Sequence, residues 1–148
     1  MDTINLVLEN LQYDGSREIQ GYCAVGEIYI AFGIVAFPAE NWYDFPFFVM
    51  ESFVPQLISF TMGNTDSCLL RFVDGPYSLS LNRDSVGKIA IYCKENNTVI
   101  HSWEEIDFLA FLRSIISCLR AYDRFLYENG KQNHFSREIR TLKQILAT

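Results

Sequence analysis

The strongest constraint in this chain is one long apolar stripe. Phe108, Leu112, Ile115, Leu119, Tyr122 and Leu126 recur at helical spacing, and Phe111 and Cys118 widen the band they form. At about 100° per residue, only Arg113, Ser117, Arg120, Arg124 and Glu128 fall on the polar side. Ser102-Trp103-Glu104-Glu105 reads as a capping box, in which serine and glutamate each satisfy the other's backbone N–H. Asn129-Gly130 reads as a left-handed stop. A helix of about 26 residues spans about 39 Å. It can cross a whole small sheet, and its stripe needs one to bury against.

The rest of the chain supplies that sheet. Residues 67–101 alternate like an antiparallel meander, with strand 67–73 turning at Asp74-Gly75, a pair that suits a two-residue type I′ turn. Pro76 opens strand 76–81, where its missing N–H does least harm. Tyr77, Leu79 and Leu81 face one side, Ser78 and Ser80 the other. Strand 87–94 puts Ile89, Ile91 and Cys93 inward and Lys88, Tyr92 and Lys94 outward, and strand 98–101 follows the turn at Glu95-Asn96-Asn97. Nearer the N-terminus, residues 4–8 read as a strand and Tyr13-Asp14-Gly15-Ser16 as a turn. Two further strands, 18–25 and 27–37, are expected to meet in a hairpin near Gly26. Ile28, Ile30, Phe32 and Ile34 point one way, and Tyr29, Ala31, Gly33 and Val35 the other. Both faces are apolar, as in a central strand covered on both sides.

Between these blocks, Phe47, Phe48, Met50, Phe53, Leu57 and Ile58 mark a middle helix, with Asp44 as its N-cap and Pro46 in the first turn. Pro55 should kink or split it, and Gly63-Asn64 ends it. A last helix covers Ser136–Leu146. The expected fold is a single α+β domain over residues 1–148: one antiparallel sheet of five to six strands, covered mainly on one face by the long helix and the Pro-kinked helix.

Composition bounds the function. With 49% hydrophobic and 20% charged residues in 148, the chain has ample material for a core. Its formal charge of −6 argues against a nucleic-acid partner, because gripping phosphates takes a cationic surface. Cys23, Cys68, Cys93 and Cys118 are scattered in apolar contexts without metal-ligand spacing, and read as reduced, buried thiols. The N-terminus lacks a signal-peptide pattern, and the longest apolar run, near 28–39, is too short for a bilayer and ends at Pro38. These features lead to the expectation of a soluble, cytoplasmic protein with no membrane partner.

No catalytic signature appears. HExxH, GxSxG, GxGxxG and the P-loop are missing from the sequence, and its one SxxK match, Ser85-Val86-Gly87-Lys88, lacks the S-D-N and K-T-G motifs that go with it. His101 and His134 have no cysteine or carboxylate at ligand spacing, so no metal and no cofactor is expected. Glu40, Asp44, Glu51, Asp66 and Asp74 lie in one half of the chain, away from the arginines of the last helices. They read as caps, turn residues and solvated charges, as an acidic binding face, or, should two of them share one cleft, as a paired general acid and base. Trp42 and Tyr43, just outside the middle helix, read as core or as exposed anchors of the kind that dominate binding surfaces.

The stretches NWYDFPFFVMESFVPQL, LLRFVDGPYSLSL and SWEEIDFLAFLRSIISCL resemble parts of bacterial immunity proteins. These are small cytosolic inhibitors encoded beside contact-dependent or polymorphic toxins. The elements that carry the likeness are Trp42 ahead of a helix, Phe72, Asp74, Gly75, Pro76 and Tyr77 in a hairpin, and the helix after Trp103; together they touch about 45 of the 148 residues. The resemblance implies a stoichiometric toxin inhibitor (an antitoxin in contact-dependent growth inhibition) without catalytic residues. It would be steered by its negative charge to the basic C-terminal domain of a cognate toxin, which is expected to be a nuclease. The expected toxin-binding residues are Glu40, Trp42, Tyr43, Asp44, Asp66 and Asp74. The alternative is a small-molecule-binding or hydrolytic α+β domain with polar groups around a pocket, such as His101 with two carboxylates. A third reading is an assembly subunit that uses the wet sheet face around Tyr92.

Overall fold

The computed structural model describes residues 3–13 and 24–148. Most of the expected turn after Tyr13, residues 18–23 of the expected second strand, and Cys23 fall outside them.

Two antiparallel sheets and three helices make up the described chain. In the first sheet β2 (Ala24–Phe32) is central. On one side it pairs with β1 (Asn5–Tyr13); on the other, β3 (Val35–Phe37) and β4 (Tyr43–Asp44) follow one another along its edge. Helix α1 (Pro46–Thr61) then leads into the second sheet. That sheet is a meander of β5 (Ser67–Arg71), β6 (Tyr77–Arg83), β7 (Ile89–Glu95) and β8 (Thr98–Trp103). Helices α2 (Phe108–Glu128) and α3 (Ser136–Leu146) close the fold.

The α+β class holds, but the single sheet of five to six strands does not: there are two sheets of four strands each. Strand count is legible from alternation, whereas pairing is not. Pro38 cannot donate to a ladder, so β3 ends there. Helix α1 then carries the chain away, packing on both β2 and β5 and thereby sitting between the two sheets.

Helices α1 and α2, the latter laid on β1, enclose one core with the inner faces of both sheets. Phe53 meets Phe111 edge-on and Phe60 meets Phe108, joining the two helices. Phe32 stacks on Trp103 at 3.6 Å, and Phe37 packs edge-on against Phe72 and Tyr77, joining the two sheets. The second sheet alternates as expected, with Leu79, Leu81, Ile91 and Cys93 buried and Ser78, Ser80, Tyr92 and Lys94 half-exposed. Apart from half-buried Phe108, the expected stripe of α2 is buried, and its expected polar strip is exposed. Both α1 and α2 end in Schellman motifs: Gly63 and Gly130 take left-handed φ of +80° and +74°, and Asn64 N–H and Lys131 N–H donate back to Ser59 and Leu126.

Several local expectations are corrected. Gly26 is inside β2 rather than at a hairpin. The register slips between Glu9 and Gln12, Asn10 takes φ +52°, and the resulting bulge of β1 presses on Gly26. A Cβ at Gly26 would lie 3.2 Å from the Glu9 carbonyl oxygen. The hairpin falls instead at Gly33-Ile34, where Gly33 has φ +56° and Ile34 is wholly exposed rather than inward-facing. Asp74-Gly75 is not a type I′ turn, because only Gly75 has positive φ. The loop spans Val73–Pro76 and is closed by Phe72 N–H donating to Tyr77. Ser102 and Trp103 belong to β8, so the capping box does not form; α2 is capped by Asp107, whose carboxylate accepts from Ala110 N–H at 3.1 Å. Helix α1 has Phe45 rather than Asp44 at its N-cap and runs unsplit through Pro55. No helix among the described residues is long and apolar enough to cross a membrane.

Candidate functional site

Asp44 ends β4 opposite Gly26 and is buried, with 2% of its surface exposed. A carboxylate so placed needs several donors. It accepts from Phe45 N–H at 2.7 Å, from the Trp42 indole at 3.0 Å, and from Asp74 N–H at 3.2 and 3.3 Å to its two oxygens. The last contact crosses from the first sheet to the β5–β6 loop. Trp42 meets Tyr77 edge-on at 5.3 Å, close beside Gly75. One buried carboxylate and one aromatic pair therefore brace a corner where the 38–42 loop, β4 and the β5–β6 loop converge.

The surface of that corner is acidic. Antiparallel register places Glu9 opposite Glu27, and Glu27 opposite Tyr43, in one row across β1, β2 and β4. Tyr29 is two residues from Glu27 on the same face. Burial pushes its phenol above the ordinary 10.0, and the carboxylates of Glu9, Glu40 and Glu27 add to that push. Glu27 is largely buried and accepts from the Asn10 side-chain amide of the bulge. Glu9, Glu40, Asp74 and Tyr43 are exposed, and the Tyr43 hydroxyl donates weakly to Gln12 at 3.4 Å.

Of the residues expected to contact a partner, Glu40, Trp42, Tyr43, Asp44 and Asp74 are gathered at this corner. Asp44 faces inward, so it can affect a partner only by holding its neighbours in place. Asp66 does not join them. It precedes β5 while Asp74 follows it, and its exposed carboxylate lies 3.6 Å from Arg83. Arg83 itself closes the end of α1, donating to the carbonyls of Phe60 and Thr65 with its guanidinium over the Phe60 ring. Glu51, expected among the solvated acids, reaches His134 at 3.0 Å.

Sequence reasoning missed Glu9, Glu27 and Tyr29, because cross-strand register is invisible until the bulge at Asn10 is known. It also missed Asp123, which is buried in α2 and accepts from the backbone N–H groups of His134 and Phe135 at 2.9 and 3.1 Å. The signal was present: Asp123 is four residues after Leu119, inside the apolar stripe, where a carboxylate needs a partner.

Charge divides along the chain. From residue 108 onward, Arg113, Arg120, Arg124, Lys131, Arg137, Arg140 and Lys143 outnumber Asp123, Glu128 and Glu138, giving +4. Residues 1–107 therefore carry −10 of the total −6. The part of the chain that holds both sheets and α1 is therefore acidic, and the part that holds α2 and α3 is basic.

The residues weighed for chemistry are scattered. His101 is half-buried on β8 beside Trp103. Cys68, Cys93 and Cys118 are buried free thiols, each pushed up to about 12 by burial, which disfavours the thiolate. Among the described residues, no group of three His, Cys, Asp or Glu side chains is placed to hold a metal ion. Comparison with protein-family models, with curated proteins and with solved structures finds no match for this chain.

Proposed function

We propose that this protein is an inhibitor that binds one basic macromolecule through its acidic corner, in the manner of an immunity protein that neutralises a cognate bacterial toxin. The observation that carries the reading is the braced corner itself. Exposed Glu9 and Tyr43 flank Glu27 in one cross-strand row. Exposed Glu40 and Asp74 lie on the loops that lead into and meet β4, and the Asp44 carboxylate ties β4 to the β5–β6 loop. An acidic rim steers a basic partner and raises its on-rate. A rigid aromatic with a hydroxyl supplies anchor area at low entropic cost. Trp42, half-buried and tied to Asp44, widens that anchor at its edge. The resemblance of the Trp42, Phe72–Tyr77 and post-Trp103 segments to immunity proteins supports a toxin's C-terminal domain as the partner, with a basic nuclease the class that this charge suits.

The test is co-expression with a toxin C-terminal domain taken from a neighbouring open reading frame. The wild-type chain should restore growth and co-purify with the toxin. The Glu40→Lys/Asp74→Lys and Tyr43→Ala variants should each bind at least tenfold more weakly while remaining folded by circular dichroism. Undiminished protection by both folded variants would exclude this corner as the binding face.

A further inference from the structure

The basic side of the molecule is concave. Helices α2 and α3 leave a groove whose upper part is an open cavity of about 530 Å³, lined by Arg113, Ser117, Arg120 and Lys143 over an apolar floor of Ile116 and Leu146. Past Arg120 the groove continues as a second cavity of about 500 Å³ reaching Arg124, Tyr127 and Ile139. Among the described residues, none of Arg113, Arg120 and Lys143 has a carboxylate within ion-pair distance. Three exposed cations thus line a partly apolar trough without an ion-paired carboxylate among the described residues. Asp123 lines the far cavity, where its carboxylate is taken up by the His134 and Phe135 N–H groups.

We infer that this α2–α3 groove binds an acidic, amphipathic helical segment of a protein partner distinct from the one at the acidic corner. Charge complementarity selects the sign, since the helical side carries +4 and the rest of the chain −10. The spacing selects the form. Arg113 and Arg120 are seven residues apart on α2, about 10 Å along its axis, which matches carboxylates at i and i+7 of a third helix. Aliphatic side chains at i+3 and i+4 of that helix would then lie on Ile116 and Leu146, where two helices already offer a ridge-and-groove seat. Nucleic acid fits less well: the floor between Arg113 and Lys143 is aliphatic, Tyr127 is the single aromatic lining the two cavities, and the acidic bulk of the chain repels a polyanion. A flat anionic bilayer would not reach the recessed floor.

The probe is a fluorescein-labelled 21-residue peptide of three Glu-Ala-Gln-Leu-Leu-Gln-Ala heptads, followed by anisotropy at low salt. Binding to the wild-type chain should weaken at least tenfold in Arg113→Glu/Arg120→Glu and severalfold in Lys143→Glu. The surface control Lys88→Glu should bind like wild type. A peptide with glutamine in place of glutamate should bind at least tenfold more weakly. Absence of peptide binding, or equal binding by the folded Arg113→Glu/Arg120→Glu and Lys143→Glu variants, overturns the assignment. So does tighter binding of a 21-nucleotide RNA or of phosphatidylserine vesicles than of the peptide. Because Arg113, Arg120 and Lys143 lie outside the acidic corner, either result leaves the toxin-inhibitor reading to its own test.

Discussion

The acidic part of the chain that holds both sheets and the basic part that holds α2 and α3 are held by the same device and differ in the sign of their charge. On the sheet side, Asp44 is buried and binds the N–H groups of Phe45 and Asp74, fixing two loops against each other. On the helical side, Asp123 is buried and binds the N–H groups of His134 and Phe135, fixing the start of α3 against α2. Each aspartate commits its carboxylate to backbone N–H groups rather than to solvent. The comparison separates two placements of one residue type: inward acids such as Asp44 and Asp123 set shape, and outward acids such as Glu40 and Asp74 leave their charge on the surface.

Removing the braces should give the largest effects. Asp44→Ala leaves an indole N–H and two backbone N–H groups without their acceptor, and should cost about 3 kcal/mol in urea unfolding. Hydrogen exchange should rise at the Asp74 amide. A loss below about 1 kcal/mol would mean that the corner is not held by this carboxylate. Asp123→Ala should cost about 2 kcal/mol. Its loss should be local, with faster exchange over Ser136–Leu146 and unchanged protection in β6 and β7. Uniform loss of protection would erase the distinction between the two braces.

A smaller effect tests the thiols that lie on both sides of the boundary. Cys68 and Cys93 are in the second sheet, and Cys118 on α2 donates its thiol to the Leu6 carbonyl of β1. An unfolded thiol ionises near 9.0, whereas in the folded chain each is pushed up to about 12. Between those values the unfolded state holds fewer protons, so folding stability is intact below pH 9 and falls as pH rises toward 12. From pH 8 to 10 each thiol should contribute a loss on the order of 1 kcal/mol. Cys93→Ala, compared with wild type at both pH values, should flatten that slope. An identical slope would place the Cys93 thiol in water. The smallest effect should come from outward charges: Glu40→Lys/Asp74→Lys should alter stability by about 0.5 kcal/mol or less, and a loss above about 2 kcal/mol would make these acids structural.

Much of this fold was legible in the sequence, for reasons that differ by element. The stripe of α2, the stops at Gly63 and Gly130 and the alternation of β6 and β7 depend on neighbours within a few residues, and all three emerged as read. The division into two sheets, the bulge at Asn10 and the Gly33-Ile34 turn depend on which strand lies beside which. The capping box failed because Ser102 and Trp103 pair with Tyr92 and Ile91 in β8, a tertiary demand that overrode a local motif. At the corner, the residue types were legible from Trp42 to Asp74, but their orientation was not. Asp44 belonged inside, Asp66 belonged to another end of β5, and Glu9 joined only through strand pairing.

Isothermal titration of this chain with the proposed partner, a basic toxin C-terminal domain from a neighbouring open reading frame, tests the acidic-corner reading most directly. Stoichiometric binding is expected, weakening as salt rises and at least tenfold weaker for Glu40→Lys/Asp74→Lys, with Arg113→Glu/Arg120→Glu equal to wild type. Absence of heat, or equal affinity for the charge-reversed corner, would contradict it.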